Sequence, residues 1–164
     1  MANYVDNAIR VNTNHPVLID LLKSLEGFNG ELFEAISPIG EWSSEKASMA
    51  WGCSGMIDGY VEEVTYPDEE DKDLVEFIIR GQTKWVYPVK FLEGLQERFD
   101  GGGFTTNVKA EWIEETGYLG TWVYGDEFYE KLEEEDYKKP TGKFNRLCQR
   151  FSLIDIEWWF SENM

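Results

Sequence analysis

The chain has 164 residues, a length typical of one domain. Its 32 Asp and Glu residues outnumber its 15 Lys and Arg residues, which gives a formal net charge of -17. Phosphate groups are bound by Lys and Arg, so we expect neither nucleic acid nor an anionic membrane surface as a direct partner. The apolar share of 42% and the aromatic share of 15% exclude an acidic disordered tail.

The first third of the chain predicts a strand, a helix and a long connection. Residues 5–11 alternate in the way that is typical of a strand. Pro16 suits the first position of a helix, leucines follow from Leu18 at helical spacing, and Gly27 can close the helix. Residues 28–50 contain Pro, Gly and a Ser-rich patch, so we expect an irregular connection.

The middle of the chain predicts four more strands and one more helix. The expected elements are strands at residues 55–64 and 74–80 around an acidic turn at 67–71, a helix from Pro88 that ends at the glycines 101–103, and strands at 104–112 and 118–124. The order is β-α-β-β-α-β with one extra strand, which is the split β-α-β pattern of ferredoxin-like folds. The expected fold class is therefore α+β.

The last 39 residues are expected to form an extension packed on the same domain, with residues 1–125 as the ferredoxin-like domain and 126–164 as the extension. Residues 126–136 are predicted to be a short acidic helix. Residues 144–151 carry apolar side chains at helical spacing, and the apolar residues of 154–160 alternate as in a late strand. The extension is therefore predicted to contain both helix and strand.

Three segments are similar to segments of a known family. They are Met1-Ala2-Asn3-Tyr4 with Asn7, the run Thr83-Lys84-Trp85-Val86-Tyr87-Pro88, and the strand pair 108–124 with Glu115, Gly117 and Gly120. Residues 1–125 thereby resemble the YubB-type ferredoxin-like proteins, which are small proteins of phages and plasmids. After Trp51-Gly52 the chain departs from that family, because Cys53-Ser54-Gly55-Met56 stands where a Lys- or Asp-containing patch is expected. The resemblance implies a ferredoxin-like fold and an origin in a mobile element, and it implies no established activity.

The negative charge is concentrated in two blocks. Residues 62–76 hold eight acids and one lysine, and residues 111–136 hold ten acids and one lysine. The rest of the chain is close to neutral, and a small basic run at 138–150 follows the second block. Concentrating acids in this way costs self-repulsion that solubility alone does not require, which favours a role in binding.

The spacing of these acids favours mimicry of nucleic acid. Same-face residues of a strand lie about 6.6–6.8 Å apart, close to two phosphate steps along a DNA strand, and a helix carrying Glu127, Glu130 and Glu134 gives a similar ladder. We expect a non-enzymatic inhibitor that occupies the basic cleft of a host nucleic-acid-binding defence protein, such as a CRISPR effector or a restriction enzyme. The predicted partner-binding residues are Glu62, Glu63, Asp68, Glu69, Glu70, Asp71, Asp73, Glu127, Glu130, Glu133 and Glu134.

Two alternatives stay open. One is a plain acidic interaction domain. The other is a structural or assembly module that uses an aromatic C-terminal surface, including a homodimer sealed by Trp159 if Trp158 faces the core.

Catalytic, metal and cofactor chemistry is not predicted. The single histidine, His15, precedes Pro16 at a helix start, where capping is the expected role. The run from Asp71 fails the EF-hand pattern, because Val75 and Glu76 stand at its fifth and sixth positions. Two distant cysteines and the absence of a leader or an apolar span predict a protein of the bacterial cytoplasm.

Overall fold

The computed structural model describes residues 3–64, 74–138 and 141–163. The strands of these residues are β1 (Tyr4–Thr13), β2 (Ile57–Val64), β3 (Val75–Lys84), β4 (Thr106–Glu114), β5 (Tyr118–Val123) and β6 (Asp126–Lys131). They form one antiparallel sheet in the order β2-β3-β1-β4-β5-β6, with β2 and β6 at its edges. The predicted α+β class is confirmed. Strands β5 and β6 both follow β4 directly, where the sequence predicted one strand and then a helix.

Seven helices accompany the sheet in the same parts of the chain. They are α1 (Pro16–Ser24), α2 (Leu32–Ile36), α3 (Ser44–Trp51), α4 (Val89–Phe99), α5 (Glu134–Lys138), α6 (Gly142–Arg150) and α7 (Ile156–Asn163). Helix α1 begins at Pro16 as predicted, and the Nδ1 atom of His15 caps it by accepting a hydrogen bond from the Val17 N–H (3.2 Å). Helix α4 follows Pro88 and ends before the three glycines.

The prediction of an irregular connection over 28–50 is wrong, because this segment contains α2 and α3. Helix α3 has both end signals: the Ser43 hydroxyl accepts a hydrogen bond from the Lys46 N–H (3.1 Å), and Gly52 has the left-handed conformation at the C-terminal end (φ 78°). Helix α2 buries Leu32, Phe33 and Ile36. Both helices are too short to show a helical periodicity in the sequence. Only their capping residues could have indicated them.

The two faces of the sheet are covered by different parts of the chain. On the helix face, alternate β1 residues such as Ile9 and Val11 pack against α1–α4 in the main core. The opposite face, which we call the extension face, is covered in part by α6 and α7, where Ile113 and Leu119 contribute to a second core. Helix α4 covers the helix face of β4 far more than that of β5 or β6, so the last two strands keep part of this face open.

The predicted acidic helix over 126–136 is wrong for its first half. Residues 126–131 are strand β6, which pairs with the full length of β5 from Tyr118↔Lys131 to Val123↔Asp126. The turn before it contains Gly125 with φ 80°, a conformation that suits Gly in a tight hairpin. Only Glu134–Lys138 is helical. As a strand, β6 forms backbone hydrogen bonds with β5 that a helix could not form. These hydrogen bonds outweigh the helix propensity of the glutamates.

The predicted late strand over 154–160 is also wrong, because Ile156–Asn163 is helix α7. The buried residues of α7 are Ile156, Trp159 and Phe160, which have helical spacing. Ile156 and Phe160 fit both a helical and an alternating pattern, so the choice depends on which tryptophan is buried. The Asp155 carboxylate accepts a hydrogen bond from the Trp158 N–H (3.0 Å) and marks the helix start.

The extension is held to the sheet by buried polar contacts. The Glu111 side chain is fully buried and accepts hydrogen bonds from the backbone N–H groups of Ser152, Leu153 and Ile154 at 2.7–3.0 Å. In addition, the Arg80 guanidinium donates to the Leu153 carbonyl (2.9 Å), and the Trp159 indole donates to Asp6 (2.6 Å). The chain between α6 and α7 is thereby fixed on the extension face.

Candidate functional site

The acids predicted from the first block are only partly described by the structure. Asp68, Glu69, Glu70, Asp71 and Asp73 lie outside the described residues. Glu62 and Glu63 lie on the edge strand β2 and alternate between its two faces: Glu62 is exposed, whereas the Glu63 carboxylate lies 3.9 Å from the Lys23 ammonium group.

The acids predicted from the second block lie at the opposite edge of the sheet. Glu127 and Glu130 are on β6 and point to opposite faces, and Glu134 is on α5. The predicted helical ladder of these three residues is therefore wrong. Five strand spacings separate β2 from β6, which corresponds to about 24 Å. Among the described residues, the predicted acids of the two blocks therefore lie at opposite edges of the sheet.

Lysines neutralise much of the second block. Three predicted acids form ion pairs with lysines: Glu130 with Lys143 (3.7 Å), Glu133 with Lys131 (3.4 Å) and Glu134 with Lys138. The hydrogen bond from Lys138 lowers the pKa of the Glu134 carboxyl group and raises that of the lysine itself. Glu127 is exposed and forms no ion pair with any residue of the described ranges. Among these four acids, Glu127 is the one left available to a partner.

Glu127 lies in a trough on the uncovered part of the helix face, which we call the β6 trough. Trp112 of β4 stands directly opposite Gly120 of β5, and a Cβ atom on Gly120 would lie 2.5 Å from the Trp112 ring. The ring therefore lies across the space above Gly120. Tyr87 stacks on Trp112 with centroids 5.1 Å apart and rings nearly parallel (2°). These stacked rings form the floor of the trough.

Two exposed aromatic residues form its walls. Tyr129 of β6 lies opposite Gly120 on the other side from Trp112 and is 70% exposed, and Trp85 is 59% exposed. Trp85 has a left-handed backbone (φ 70°), and its N–H donates to the Asn3 carbonyl (2.6 Å). That conformation costs a bulky residue about 1–2 kcal/mol, and such strain is found preferentially at binding sites.

The trough consists of two adjoining depressions that share Glu127. The first has a volume of about 250 Å³ and is lined by the aromatic residues together with Glu114 and Glu127. The second, about 190 Å³, adds Glu93 and Asp126. Four carboxylates thus line the trough, whereas neither depression has a Lys or Arg among its described lining residues. Glu93 is paired with Lys90 (3.4 Å), whereas the other three carboxylates have no ion-pair partner among the described residues, so the trough carries a net negative charge that favours a cationic ligand.

No motif in the sequence predicts this trough. Only Glu127 among the predicted site residues lines it. The segments that carry the family resemblance do converge here: Asn7 donates to the Thr83 hydroxyl (3.0 Å), Asn3 accepts from Trp85, and Gly120 lies under Trp112.

A second cavity lies on the extension face, with a volume of about 620 Å³. Its lining includes Tyr60 and Trp158, which are 46% and 61% exposed. Asp6, Asp58, Asp155 and Arg80 also line it. The expected arrangement of the two tryptophans is reversed, because Trp159 is buried and Trp158 faces outward.

The described residues contain neither a metal-binding cluster nor a membrane-spanning helix. Residues 3–64, 74–138 and 141–163 contain no group of three His, Cys, Asp or Glu side chains placed to hold a metal ion. Within the same ranges no helix has the length and apolar character needed to cross a membrane.

Comparison with known proteins adds no relative. No protein-family model matches the chain, and no curated protein and no solved structure is significantly similar to it. The features that bear on function are therefore the geometry and charge of the β6 trough and of the cavity on the extension face.

Proposed function

We propose that the protein is a non-enzymatic inhibitor that binds the basic cleft of a bacterial nucleic-acid-binding defence protein, such as a CRISPR effector or a restriction enzyme, and thereby keeps nucleic acid out. The observation that carries this proposal is the β6 trough, where four carboxylates surround exposed aromatic rings on an open sheet face. A cleft built for nucleic acid is lined with Lys and Arg, and it is complementary to this surface in charge.

The predicted acidic residues extend the contact beyond the trough. Glu62 and Glu63 lie at the other sheet edge, about 24 Å from β6. This separation is comparable with the width of a DNA duplex, so a cleft shaped for a duplex is able to contact both edges. Glu130, Glu133 and Glu134 contribute less in this proposal, since their lysine partners have to be displaced before a partner protein can pair with them.

We further infer that residues 4–114 form a ferredoxin-like core related to the YubB-type proteins of phages and plasmids. In support, β1 and β2 run parallel on either side of β3, and β3 and β4 run parallel on either side of β1. Each pair is connected through helices, as in two split β-α-β units. A mobile-element origin agrees with action on a host defence protein in the bacterial cytoplasm. Fold alone does not carry function, so the charge argument remains the basis of the proposal.

Charge reversal with a matched control tests the proposal. One variant carries Glu93→Lys, Glu114→Lys, Asp126→Lys and Glu127→Lys. The control carries Asp20→Lys, Glu26→Lys, Glu41→Lys and Glu45→Lys, which change the net charge equally at exposed positions far from the trough. Each tagged protein is used for affinity capture from a bacterial lysate at low and high salt.

The expected result is that wild type and control capture a nucleic-acid-binding protein whose recovery falls with salt, and that the trough variant does not. Equal capture by both variants refutes the proposal, provided that circular dichroism shows both to be folded.

A second function is favoured by one observation at the extension face. Trp158 is 61% exposed beside the 620 Å³ cavity, which is typical of an aromatic anchor in a protein interface. An assembly module, including a homodimer, would use this surface and respond little to salt. Sedimentation of wild type and Trp158→Ala decides it: a concentration-dependent dimer that Trp158→Ala dissociates supports assembly, and a monomer at every concentration contradicts the homodimer.

A further inference from the structure

We propose that the larger depression of the β6 trough is an arginine-binding pocket that takes one guanidinium group of the partner protein. This inference rests on the proposed function, which requires a basic partner, and it adds the chemical group that is recognised. The pocket is formed by Trp85, Trp112 and Tyr129 as aromatic residues and by Glu114 and Glu127 as carboxylates.

The size of the pocket matches one side chain. Small-molecule sites usually have volumes of about 300–1,000 Å³, and this depression has about 250 Å³. It is open to solvent along the side of Tyr129, which is 70% exposed. A long side chain projecting from a partner surface can therefore enter it without any movement of the sheet.

The aromatic geometry favours a flat cation. Tyr87 stacks on Trp112, and the Trp112 ring lies across Gly120, so the floor of the pocket is a flat aromatic surface beside the exposed ring of Tyr129. A guanidinium group is planar and stacks on such rings, whereas an ammonium group is a compact and strongly hydrated charge. The arrangement therefore selects arginine over lysine.

The charges agree with this assignment. Glu114 accepts a hydrogen bond from the Thr116 hydroxyl, and neither Glu114 nor Glu127 has an ion-pair partner within residues 3–64, 74–138 and 141–163. Two carboxylates are thus available to pair with a cation that stacks on the aromatic residues of the pocket. A guanidinium group has donors in a planar fork, which allows it to stack and to pair with carboxylates at the same time.

The chain contains two cation–π contacts between its own side chains. The Lys131 ammonium group lies 5.3 Å from the ring centre of Tyr118, on the same sheet face as Tyr129. On the extension face, the Arg150 guanidinium lies 3.8 Å from the ring centre of Phe128. Lys131 is also paired with Glu133, so its charge is partly neutralised and repels an incoming guanidinium less.

The probe for the test is N-acetyl-arginine methylamide, with the citrulline analogue as an uncharged control of nearly the same shape. Titration into the full-length protein is followed by the indole N–H resonances of the tryptophans. We expect the Trp85 resonance to shift saturably with the arginine probe and not with citrulline. Trp42 and Trp158 are exposed away from the trough, and their resonances serve as internal references.

Variants at Tyr129 test the aromatic wall. Tyr129→Leu is expected to weaken binding of the arginine probe by about 2- to 30-fold, the range of a cation–π contact. Tyr129→Phe keeps the ring and is expected to change binding less than about twofold. Tyr60→Leu makes the same substitution at a half-exposed tyrosine of the opposite edge strand and should leave binding unchanged. Glu127→Gln should weaken binding and reduce its salt dependence.

Three results would each overturn the proposal of an arginine-binding pocket. They are equal shifts with the arginine and citrulline probes, shifts at Trp158 instead of Trp85, and unchanged binding of the arginine probe by Tyr129→Leu. Its failure is distinguishable from failure of the proposed function. If lysate capture depends on the trough acids while the arginine probe does not bind, the inhibitor function stands and the pocket is wrong. If the probe binds and the capture does not depend on these acids, the pocket stands and the proposed function is wrong.

Discussion

The buried carboxylate of Glu111 is expected to be the main attachment of the C-terminal extension. One of its oxygens accepts hydrogen bonds from the N–H groups of Leu153 (2.7 Å) and Ile154 (2.9 Å). The other accepts from the N–H (3.0 Å) and hydroxyl (3.3 Å) of Ser152 and lies 3.6 Å from the Lys109 ammonium group. The substitution Glu111→Gln keeps the shape of the side chain and replaces one acceptor oxygen by a donor NH2 group.

The expected loss follows from these contacts. If the first oxygen is replaced, the NH2 group faces the N–H groups of Leu153 and Ile154, and two hydrogen bonds are lost. If the second is replaced, the NH2 group can donate to the Ser152 hydroxyl, but the bond from the Ser152 N–H and the pairing with Lys109 are lost. Each hydrogen bond to a charged acceptor is worth about 1.5–3 kcal/mol, and removal of one member of a buried charged network usually costs about 3–5 kcal/mol. We therefore expect the free energy of unfolding to fall by about 3–5 kcal/mol, or by the docking free energy of the extension if that is smaller.

Urea unfolding and amide hydrogen exchange measure the two effects. The control is Glu62→Gln, the same substitution at an exposed position of β2, which should change the free energy of unfolding by less than about 0.5 kcal/mol. Faster hydrogen exchange of the amides of residues 152–154 in Glu111→Gln would show that the loss of stability arises from weaker attachment of the extension. If Glu111→Gln is as stable as the control and protects these amides fully, the carboxylate is not what holds the extension.

Three further predictions concern the glycines and the thiols. Gly94→Ala should raise the free energy of unfolding by about 0.5–1 kcal/mol in urea unfolding, because Gly94 is inside α4 and an added Cβ has no neighbour within 4 Å. Gly120→Ala should lower it by about 1–3 kcal/mol, because its Cβ would clash with the Phe128 carbonyl oxygen and meet the Trp112 ring at 2.5 Å; unchanged stability would contradict the close approach of these two groups to Gly120. Burial raises the pKa of the Cys53 thiol to about 11, whereas Cys148 is less buried, so a thiol reagent at pH 8 should label Cys148 first and Cys53 only with unfolding. Since the unfolded Cys53 ionises near its ordinary pKa of 9.0, its contribution to stability is present below that pH and lost as the pH rises towards 11; an unfolding free energy that falls equally in Cys53→Ala over this range would contradict the assignment.

The central part of the fold could be predicted from the sequence because its patterns are unambiguous. Strands β1 and β4 are buried on at least one face along their length, so that their apolar residues alternate cleanly. The edge strand β6 lacks that pattern, because its residues are half-exposed or fully exposed and mostly charged. In α7 the adjacent Trp158 and Trp159 satisfy two periodicities at once, and only packing on the sheet decides which of them is buried.

The candidate site could not be predicted because it depends on the same edge. Trp112, Gly120 and Tyr129 are neighbours only if β4, β5 and β6 lie side by side, and reading β6 as a helix removes Tyr129 and Glu127 from that face. The distribution of acids along the chain also does not distinguish Glu111 from Glu127. The first is fully buried and structural, whereas the second is exposed in the trough. A charge acquires a role only when its burial and its neighbours are known.

Aromatic rings among the acids change what the salt test should show. A surface of exposed carboxylates alone loses affinity steeply as salt screens it, whereas stacking of a guanidinium on Trp85 and Tyr129 depends on contact and desolvation, which salt affects less. We therefore expect the complex to weaken with salt and then level off at a residual affinity, which Tyr129→Leu lowers by about 2- to 30-fold and Glu127→Gln leaves in place. A decline to zero in the wild type would show that charge alone carries the interaction. A complex insensitive to salt from the start would point instead to the aromatic surface around Trp158.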